Sequence, residues 1–236
     1  MKDKYFVDLH IHSCLSPCAD EDMNPYNIVA MAKLKGLDAI AITDHNSALN
    51  LPAAKKAAAF FDVELIAGIE ITSKEEVHML AYFREVAQAL EAGEWIYSHL
   101  PKEKNRGDIF GNQLIIDTNY EIAGEEERLL IGATDLSIEE IGEGIVQLGG
   151  IYVPAHINRG AYSLLKQFAF IPPTIPFPIL EVVKELAIKE SLLEEAMILH
   201  SSDAHYLGDI SEADFFLEGT GVDVFSILST IFMERR

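Results

Sequence analysis

Nine side chains in this sequence have the types and positions of metal ligands. Imidazole and carboxylate groups together suit Zn, Mn or Fe(II). Six of the eight histidines and three acids lie at or near the ends of short apolar runs, which is typical of a barrel that builds a multi-metal hydrolytic site. The nine are His10, His12, Asp20, His45, Glu70, His78, His156, Asp203 and His205.

The first two histidines belong to one predicted strand. Residues 5–12 alternate with period two, so His10 and His12 project from the same face, about 6.6 Å apart along the strand. Two imidazoles so placed can converge on one ion. An isolated pair would more often be two half-buried histidines bonded to the backbone, but the other seven side chains favour the metal site.

Further predicted strands position most of the remaining ligands. Each is a short apolar run of the kind that forms a buried parallel strand. Because the carboxyl ends of barrel strands meet at one face, ligands that are far apart in sequence are expected to lie together there. The runs are 38–42, 63–69, 150–155 and 196–199, and they lead into His45, Glu70, His156 and the pair Asp203 and His205.

Five motifs follow one another between residues 5 and 206. They are Asp8-Leu9-His10-Ile11-His12, Ile42-Thr43-Asp44-His45, Gly68-Ile69-Glu70, Pro154-Ala155-His156 and Ser202-Asp203-Ala204-His205. In this order they resemble the motifs of the PHP (polymerase and histidinol phosphatase) superfamily. The resemblance implies an α/β fold, specifically a distorted (β/α)7 barrel, and a metal-dependent phosphoesterase with three divalent metals, here Zn, Mn or Fe.

The resemblance also implies how the ligands are shared among the metals. One ion would be held by His10, His12, Glu70 and Asp203. A second would be held by Glu70, as a bridge, with His78 and His156, and a third by Asp20, His45 and His205. The loop that carries Asp20 also offers Glu21 and Asp22, so the identity of that acid stays open.

Catalysis is expected to depend on the ligands Glu70 and Asp203 and on Arg159. Arg159 follows His156 by three residues and could place a bidentate guanidinium on a phosphate held at the metals, although a surface salt bridge is the other interpretation. His200 and Asp44 are candidates to protonate the leaving group, but Asp44 fits better as a group that orients a ligand. Asp8 is either an orienting group or an additional ligand.

A single domain over residues 1–236 is the expected organisation, since the length suits one barrel and 49% of residues are hydrophobic. Helices are predicted after Asn24, over 51–61, after Ser137 and over 180–195, the last broken by turns. The polar segment 98–134, with Arg106, Phe110, Asn112 and Gln113 at its centre, is interpreted as an insertion or small subdomain that could cover the barrel mouth. A peripheral hairpin without a role is the alternative.

Composition predicts a cytoplasmic protein, because there is no signal peptide, no apolar stretch of about 20 residues and no disulfide pattern. The two cysteines, Cys14 and Cys18, are interpreted as free thiols that pack the loop, with a metal-proximal or redox role as the other option. The net charge of −20 predicts no stable binding to long nucleic acid and favours a small phosphorylated substrate: a phosphate monoester, a nucleotide or a short oligonucleotide.

Two alternatives remain open. The amidohydrolase superfamily also begins with two histidines separated by one residue, but its second half relies on a lysine bridge, whereas this chain has Asp203 and His205 in sequence after the motif ending at His45. The other alternative is a non-catalytic PHP module, which is disfavoured because all nine ligand positions are filled.

Overall fold

The computed structural model describes residues 4–173, 175–194 and 196–235. Its strands are β1 (Lys4–Ile11), β2 (Ala39–Ile42), β3 (Glu64–Thr72), β4 (His78–Phe83), β5 (Leu114–Ile116), β6 (Ile122–Glu125), β7 (Ile151–Pro154), β8 (Ile179–Glu181), β9 (Met197–Leu199) and β10 (Phe216–Glu218). Its helices are α1 (Pro25–Leu34), α2 (Leu51–Phe61), α3 (Val86–His99), α4 (Gly107–Phe110), α5 (Ile138–Gln147), α6 (Leu164–Phe168) and α7 (Val224–Arg235).

The main sheet has the strand order β10-β1-β2-β3-β4-β7. β1, β2 and β3 are parallel, whereas β4 is antiparallel to both of its neighbours, β3 and β7, and β10 is antiparallel to β1. The two strands on either side of β4 therefore run in the same direction. The strands β1, β2, β3 and β7 thus all end at one edge, as the apolar runs predicted.

The sheet curls because the short parallel pair of β8 and β9 joins it through isolated hydrogen bonds. The backbone N–H of Ile157 donates to the carbonyl of Glu181, and that of His12 donates to the carbonyl of Ala204. The result is a mixed α/β fold with a curled, half-barrel wall. The ladders among the described residues form an open mixed sheet, so the count of seven strands in a closed barrel stays a prediction.

Three predicted helices are confirmed, and each begins as its sequence indicates. The side chain of Asn24 accepts from the backbone N–H of Tyr26 at the start of α1, and Pro25 follows as the first helical residue. Ser137 and Glu140 form the capping box of α5. The helix predicted over 51–61 is α2.

The helix predicted over 180–195 is wrong. Residues 179–181 form β8, and the following residues are irregular apart from the short 3-10 turn Glu190–Leu192; Glu195 lies outside the described residues. Most side chains from 184 to 194 are exposed and only a few, such as Ile188 and Leu193, pack against the core, so a helix there would bury little apolar surface. The backbone N–H of Val182 instead donates to the carbonyl of Leu199 and extends the strand pairing.

The segment 98–134 packs against the loop that follows β1. The backbone N–H of Leu114 donates to the carbonyl of Cys14, and Gly111 adopts φ +99° where a Cβ would lie 2.0 Å from the carbonyl oxygen of Pro17. Gln113 is fully buried and its side chain bonds to the backbone of Glu126, Arg128 and Leu130. The segment therefore supports that loop from outside, while Arg106 is exposed and pairs with Asp108.

Among the described residues, no helix is both long enough and apolar enough to span a bilayer.

Candidate metal centre

The strand ends bring eight of the nine predicted ligands to one place. His10 and His12 lie at the end of β1, Glu70 lies within β3, and His78 begins β4, which pairs with β3. The others lie in the loops that follow strands: His45 after β2, His156 after β7, and Asp203 and His205 after β9. Three overlapping groups of these residues have ligand atoms within 4.8 Å of one another.

The first group is His10, His12, Glu70 and Asp203. The Nε2 atom of His10 lies 3.2 Å from Glu70 Oε1 and 3.3 Å from Asp203 Oδ1. His12 Nε2 lies 3.3 Å from Glu70 Oε2 and 3.1 Å from Asp203 Oδ1. Ligand atoms about 2.0–2.2 Å from a shared ion are about 3 Å from each other, so these spacings fit the coordination shell of one metal.

The second group is His45, Glu70 and His78, in which His45 stands where His156 was predicted. Glu70 contacts both of these histidines and His156 as well. Its Oε1 atom lies 2.9 Å from His78 Nδ1 and 3.2 Å from His156 Nε2, and its Oε2 atom lies 3.1 Å from His45 Nδ1. The buried atoms Glu70 Oε2, His45 Nδ1 and His78 Nδ1 nevertheless have no aligned hydrogen-bond partner. Unpaired buried polar atoms are costly, and divalent cations between them would satisfy all three.

The third group is His12, His45 and His205. The Nδ1 atom of His205 lies 2.8 Å from the carbonyl of Asp203, which leaves its Nε2 atom for a ligand. Asp20 is not brought to this group: its side chain is exposed, and its Oδ1 accepts from the backbone N–H of Asp22. A turn that closes on its own carboxylate therefore holds this acid away from the imidazoles.

The alternative acids of the same loop are also exposed. The side chain of Glu21 accepts from Asn112 Nδ2, in the segment 98–134, and Asp22 belongs to none of the three groups among the described residues.

Glu181 was missed by sequence analysis. This buried carboxylate lies 3.0 Å from His10 Nδ1 and also accepts from the backbone N–H of His156. It thus holds two predicted ligands from behind, the usual position for a carboxylate that orients a metal-bound histidine. The signal was a single acid inside the apolar run 179–183, which the helical interpretation of this region obscured.

Asp44 and Asp8 also lie behind the centre. Asp44 accepts from the backbone and hydroxyl of Ser13 and from the hydroxyl of Ser16, which in turn lies 2.9 Å from His12 Nδ1. Asp8 accepts from the backbone and hydroxyl of Ser202 and fixes the loop that carries Asp203. Among their described contacts, both acids bond to serines of the ligand-bearing loops.

The electrostatics of the centre follow from burying opposite charges together. Burial alone would raise the pKa of Glu70, but the imidazoles of His78, His10 and His45 hold it well below the usual value. Burial would lower the pKa of His10, yet the carboxylates of Glu181, Asp203 and Glu70 raise it well above normal. Glu70 therefore stays ionised, which is the form of a carboxylate that binds a cation.

Two ligands sit on left-handed backbone. His156 has φ 29° and Asp203 has φ 53°, a region that L-residues other than Asn and Asp seldom adopt. Each such residue costs on the order of 1–3 kcal/mol, and the surrounding hydrogen bonds of Glu181 and Asp8 must offset this. Strain of this kind is concentrated at functional sites.

Arg159 stands at the mouth of the centre. Its guanidinium pairs with Asp203 Oδ2, and its side chain is 41% exposed. It lines two clefts of about 260 Å³ each, one that contains His45, Glu70, His78 and His205 and one that contains His200. The guanidinium is therefore paired with one predicted ligand and still partly exposed to the cleft beside the predicted metals.

The fold and the ligand groups together define a protein built to hold divalent metals at the open edge of a curled sheet. A family model described as PHP domain matches residues 8–140, more than half of the chain. The chain belongs to the PHP domain family, as the ordered motifs indicated.

Two curated proteins match this chain, and the matched regions cover different shares of their own lengths. These two uncharacterized proteins of Methanocaldococcus jannaschii each match part of the chain. MJ0043 is 39% identical over 88 residues, which are 37% of this chain and 11% of that protein. MJ1587 is 35% identical over 99 residues, which are 38% of this chain and 58% of that protein. The chain thus spans only part of either relative's length.

Among solved structures, the lesion-specific endonuclease PfuEndoQ of Pyrococcus furiosus is similar, with a TM-score of 0.65 and 22% identity over 86% of this chain and 49% of that chain. A Bifidobacterium adolescentis protein, provisionally assigned as a metal-dependent phosphoesterase, has a TM-score of 0.61 and 19% identity over 98% of this chain and 96% of that one. At these identities the likeness establishes the fold.

The prediction against binding long nucleic acid is wrong. Endonuclease Q has this fold, with a TM-score of 0.61 and 22% identity over 86% of this chain. It has been solved with a 27-mer duplex whose abasic lesion lies at the active site. A net charge sums the whole surface, whereas binding depends on the local field of the cleft. Bound divalent cations and Arg159 would make that field positive.

Proposed function

We propose that the chain is a metal-dependent phosphoesterase that hydrolyses a phosphate ester with metal-activated water. The observation that carries the proposal is the position of Glu70, whose two oxygens lie among five imidazoles beside the exposed guanidinium of Arg159. A carboxylate so shared is suited to bridge two cations, and a cationic fork at the same cleft is suited to a phosphoryl group.

The metals would be held by His10, His12, Glu70 and Asp203, and by Glu70, His78 and His156, with His45 and His205 available to a third. Bound there, divalent ions supply Lewis acidity and a water of lowered pKa. The chain's own part is to hold these ligands in fixed orientation through Glu181 behind His10 and through Ser16 and Asp44 behind His12.

Arg159 would exchange part of its pairing with Asp203 for a phosphoryl oxygen. Asp203 lies at the boundary of both clefts, so a substrate could place its phosphate against the metal ligands and its leaving group in the neighbouring cleft. His200 lines that second cleft, with Nδ1 2.7 Å from the carbonyl of Val182, and is the candidate to protonate the leaving oxygen.

A substrate panel tests this proposal. The protein loaded with Mn or Zn is assayed on an aryl phosphate monoester, a matched diester, a nucleoside bisphosphate, and a duplex with and without an abasic lesion, alongside an N-acyl substrate. Metal-dependent release of phosphate or strand cleavage, lost in Glu70→Gln, supports the proposal. Turnover confined to the N-acyl substrate would contradict it and favour the amidohydrolase alternative, while fully metallated protein without turnover would favour the non-catalytic module.

A further inference from the structure

The two cysteines of the loop after β1 have different surroundings. Cys14 is 2% exposed and packs in a small apolar cluster with Ala53, Leu114 and Ile116, with its sulfur 3.9 Å from Asn50 Nδ2. Cys18 is exposed and lines the metal cleft instead. Packing of the loop therefore accounts for Cys14 but leaves the position of Cys18 unexplained.

The cleft that Cys18 lines also holds unpaired buried groups. His45 Nδ1 has no hydrogen-bond partner although its side chain is only 7% exposed, and Glu70 Oε2 is fully buried and equally without one. Both residues line the same cleft of about 260 Å³. These two atoms mark the cleft as a cation site independently of the cysteine.

The third ligand group, which is His12, His45 and His205, contains no anionic side chain. It consists of three imidazoles, two of which are shared: His12 also belongs to the first group and His45 to the group with Glu70 and His78. Asp20, the acid expected to complete it, is exposed and bonded within its own turn. Among the described residues that line the cleft, Cys18 is the remaining side chain of metal-binding type outside the three groups.

A backbone hydrogen bond holds the loop that carries Cys18 close to His205. The N–H of Asp20 donates to the carbonyl of His205 at 2.9 Å, which holds residues 18–20 beside His205. Cys18 Sγ belongs to none of the groups whose ligand atoms lie within 4.8 Å of one another, so binding requires the thiol to move closer to His45 and His205.

We propose that the thiolate of Cys18, together with His45 and His205, binds the outermost metal ion of the centre. The thiol releases its proton to solvent as the metal–sulfur bond forms. A thiolate in place of a carboxylate makes the site softer, and it would then favour Zn or Fe(II) over Mn or Mg. This inference rests on the metal centre and not on phosphoester hydrolysis.

Cobalt provides a direct test, because thiolate bound to Co(II) gives a charge-transfer band in the near ultraviolet that imidazole and carboxylate do not. The protein is produced in cobalt-supplemented medium, purified without oxygen, and compared with Cys18→Ser and with the matched control Cys14→Ala. The expected result is a band in the wild type and in the control that disappears in Cys18→Ser. Fully loaded wild-type protein without the band, or a band that survives in Cys18→Ser, would overturn the proposal.

A second measurement needs no variant. Iodoacetamide labelling of each cysteine is followed by mass spectrometry on zinc-loaded protein and on chelated protein that keeps its circular dichroism spectrum. Metal should slow the labelling of Cys18 by about tenfold or more, because a coordinated sulfur is not a free nucleophile. Equal labelling of Cys18 in the two samples would overturn the proposal even if both variants failed to fold.

Discussion

On the inner wall of the metal centre, the predicted ligands have buried hydrogen-bond partners, whereas the side chains of the outer rim are exposed. His10 is backed by Glu181 and His12 by Ser16, and all four side chains are buried. On the rim, Asp20 is exposed and turned away, and Cys18 is exposed at the cleft. The same site thus combines a buried half and an exposed half.

This difference follows from the elements that carry the ligands. The inner wall is built on β1 and β3, in the middle of the main sheet, where strand pairing fixes the backbone. The rim is built on residues 18–22 of the loop that follows β1. Its backbone is hydrogen-bonded within the loop and to the carbonyl of His205, and the side chain of Glu21 accepts from Asn112 in the segment 98–134.

The largest expected effect is at the centre of the inner wall. Glu70→Gln should lower phosphoesterase activity by about 10³-fold or more, because a neutral amide cannot bridge two cations. Initial rates on an aryl phosphate measure this, with Glu91→Gln on the exposed face of α3 as the matched control. Wild-type turnover with full metal content in Glu70→Gln would show that Glu70 is not the bridge.

The next effect concerns the support behind the inner wall. Glu181→Gln should weaken metal binding by roughly 10- to 100-fold, since it removes the charge that orients His10 and bonds to the backbone of His156. Competition with a chromophoric chelator measures the affinity, and Glu185→Gln, an exposed residue nearby, is the control. If both variants bind metal as the wild type does, the inner wall is not held in the way described.

The inner wall could be predicted from the sequence better than the rim, because most of its ligands follow buried strands. Periodicity and apolar runs located β1, β2, β3, β7 and β9 and therefore seven of the eight predicted ligands that lie together, because buried strands leave a clear pattern in sequence. Glu181 was missed because β8 is only three residues long and its neighbours resemble a helix. The orientation of Asp20 depends on a turn closed by its own side chain, which spacing alone does not show.

At the mouth of the cleft, Arg159→Ala should reduce kcat/KM about 10- to 100-fold more for a phosphate monoester than for a matched diester, because the lost fork pairs best with the dianion. Arg159→Lys should restore only part of the loss. Steady-state kinetics on the two substrates provide the measurement. Equal losses on both, or none on either, would remove Arg159 from the substrate site and leave it as the ion-pair partner of Asp203.

The smallest effect is expected on the rim. Asp20→Asn should change metal content and turnover by no more than about twofold, because an amide oxygen can still accept from the N–H of Asp22 and the side chain is exposed. Elemental analysis and initial rates check both quantities. The loss of one metal equivalent would show instead that Asp20 turns inward to bind, and the contrast between wall and rim would fail.

Metal content tests the central claim most directly. Protein purified without added metal and without chelator should contain more than one equivalent of transition metal per chain by elemental analysis, since the buried ligands around Glu70 are otherwise unpaired. Glu70→Gln and Glu181→Gln should contain less. Wild-type protein with less than about 0.3 equivalents, and no uptake when Zn, Mn or Fe(II) is supplied, would contradict the account.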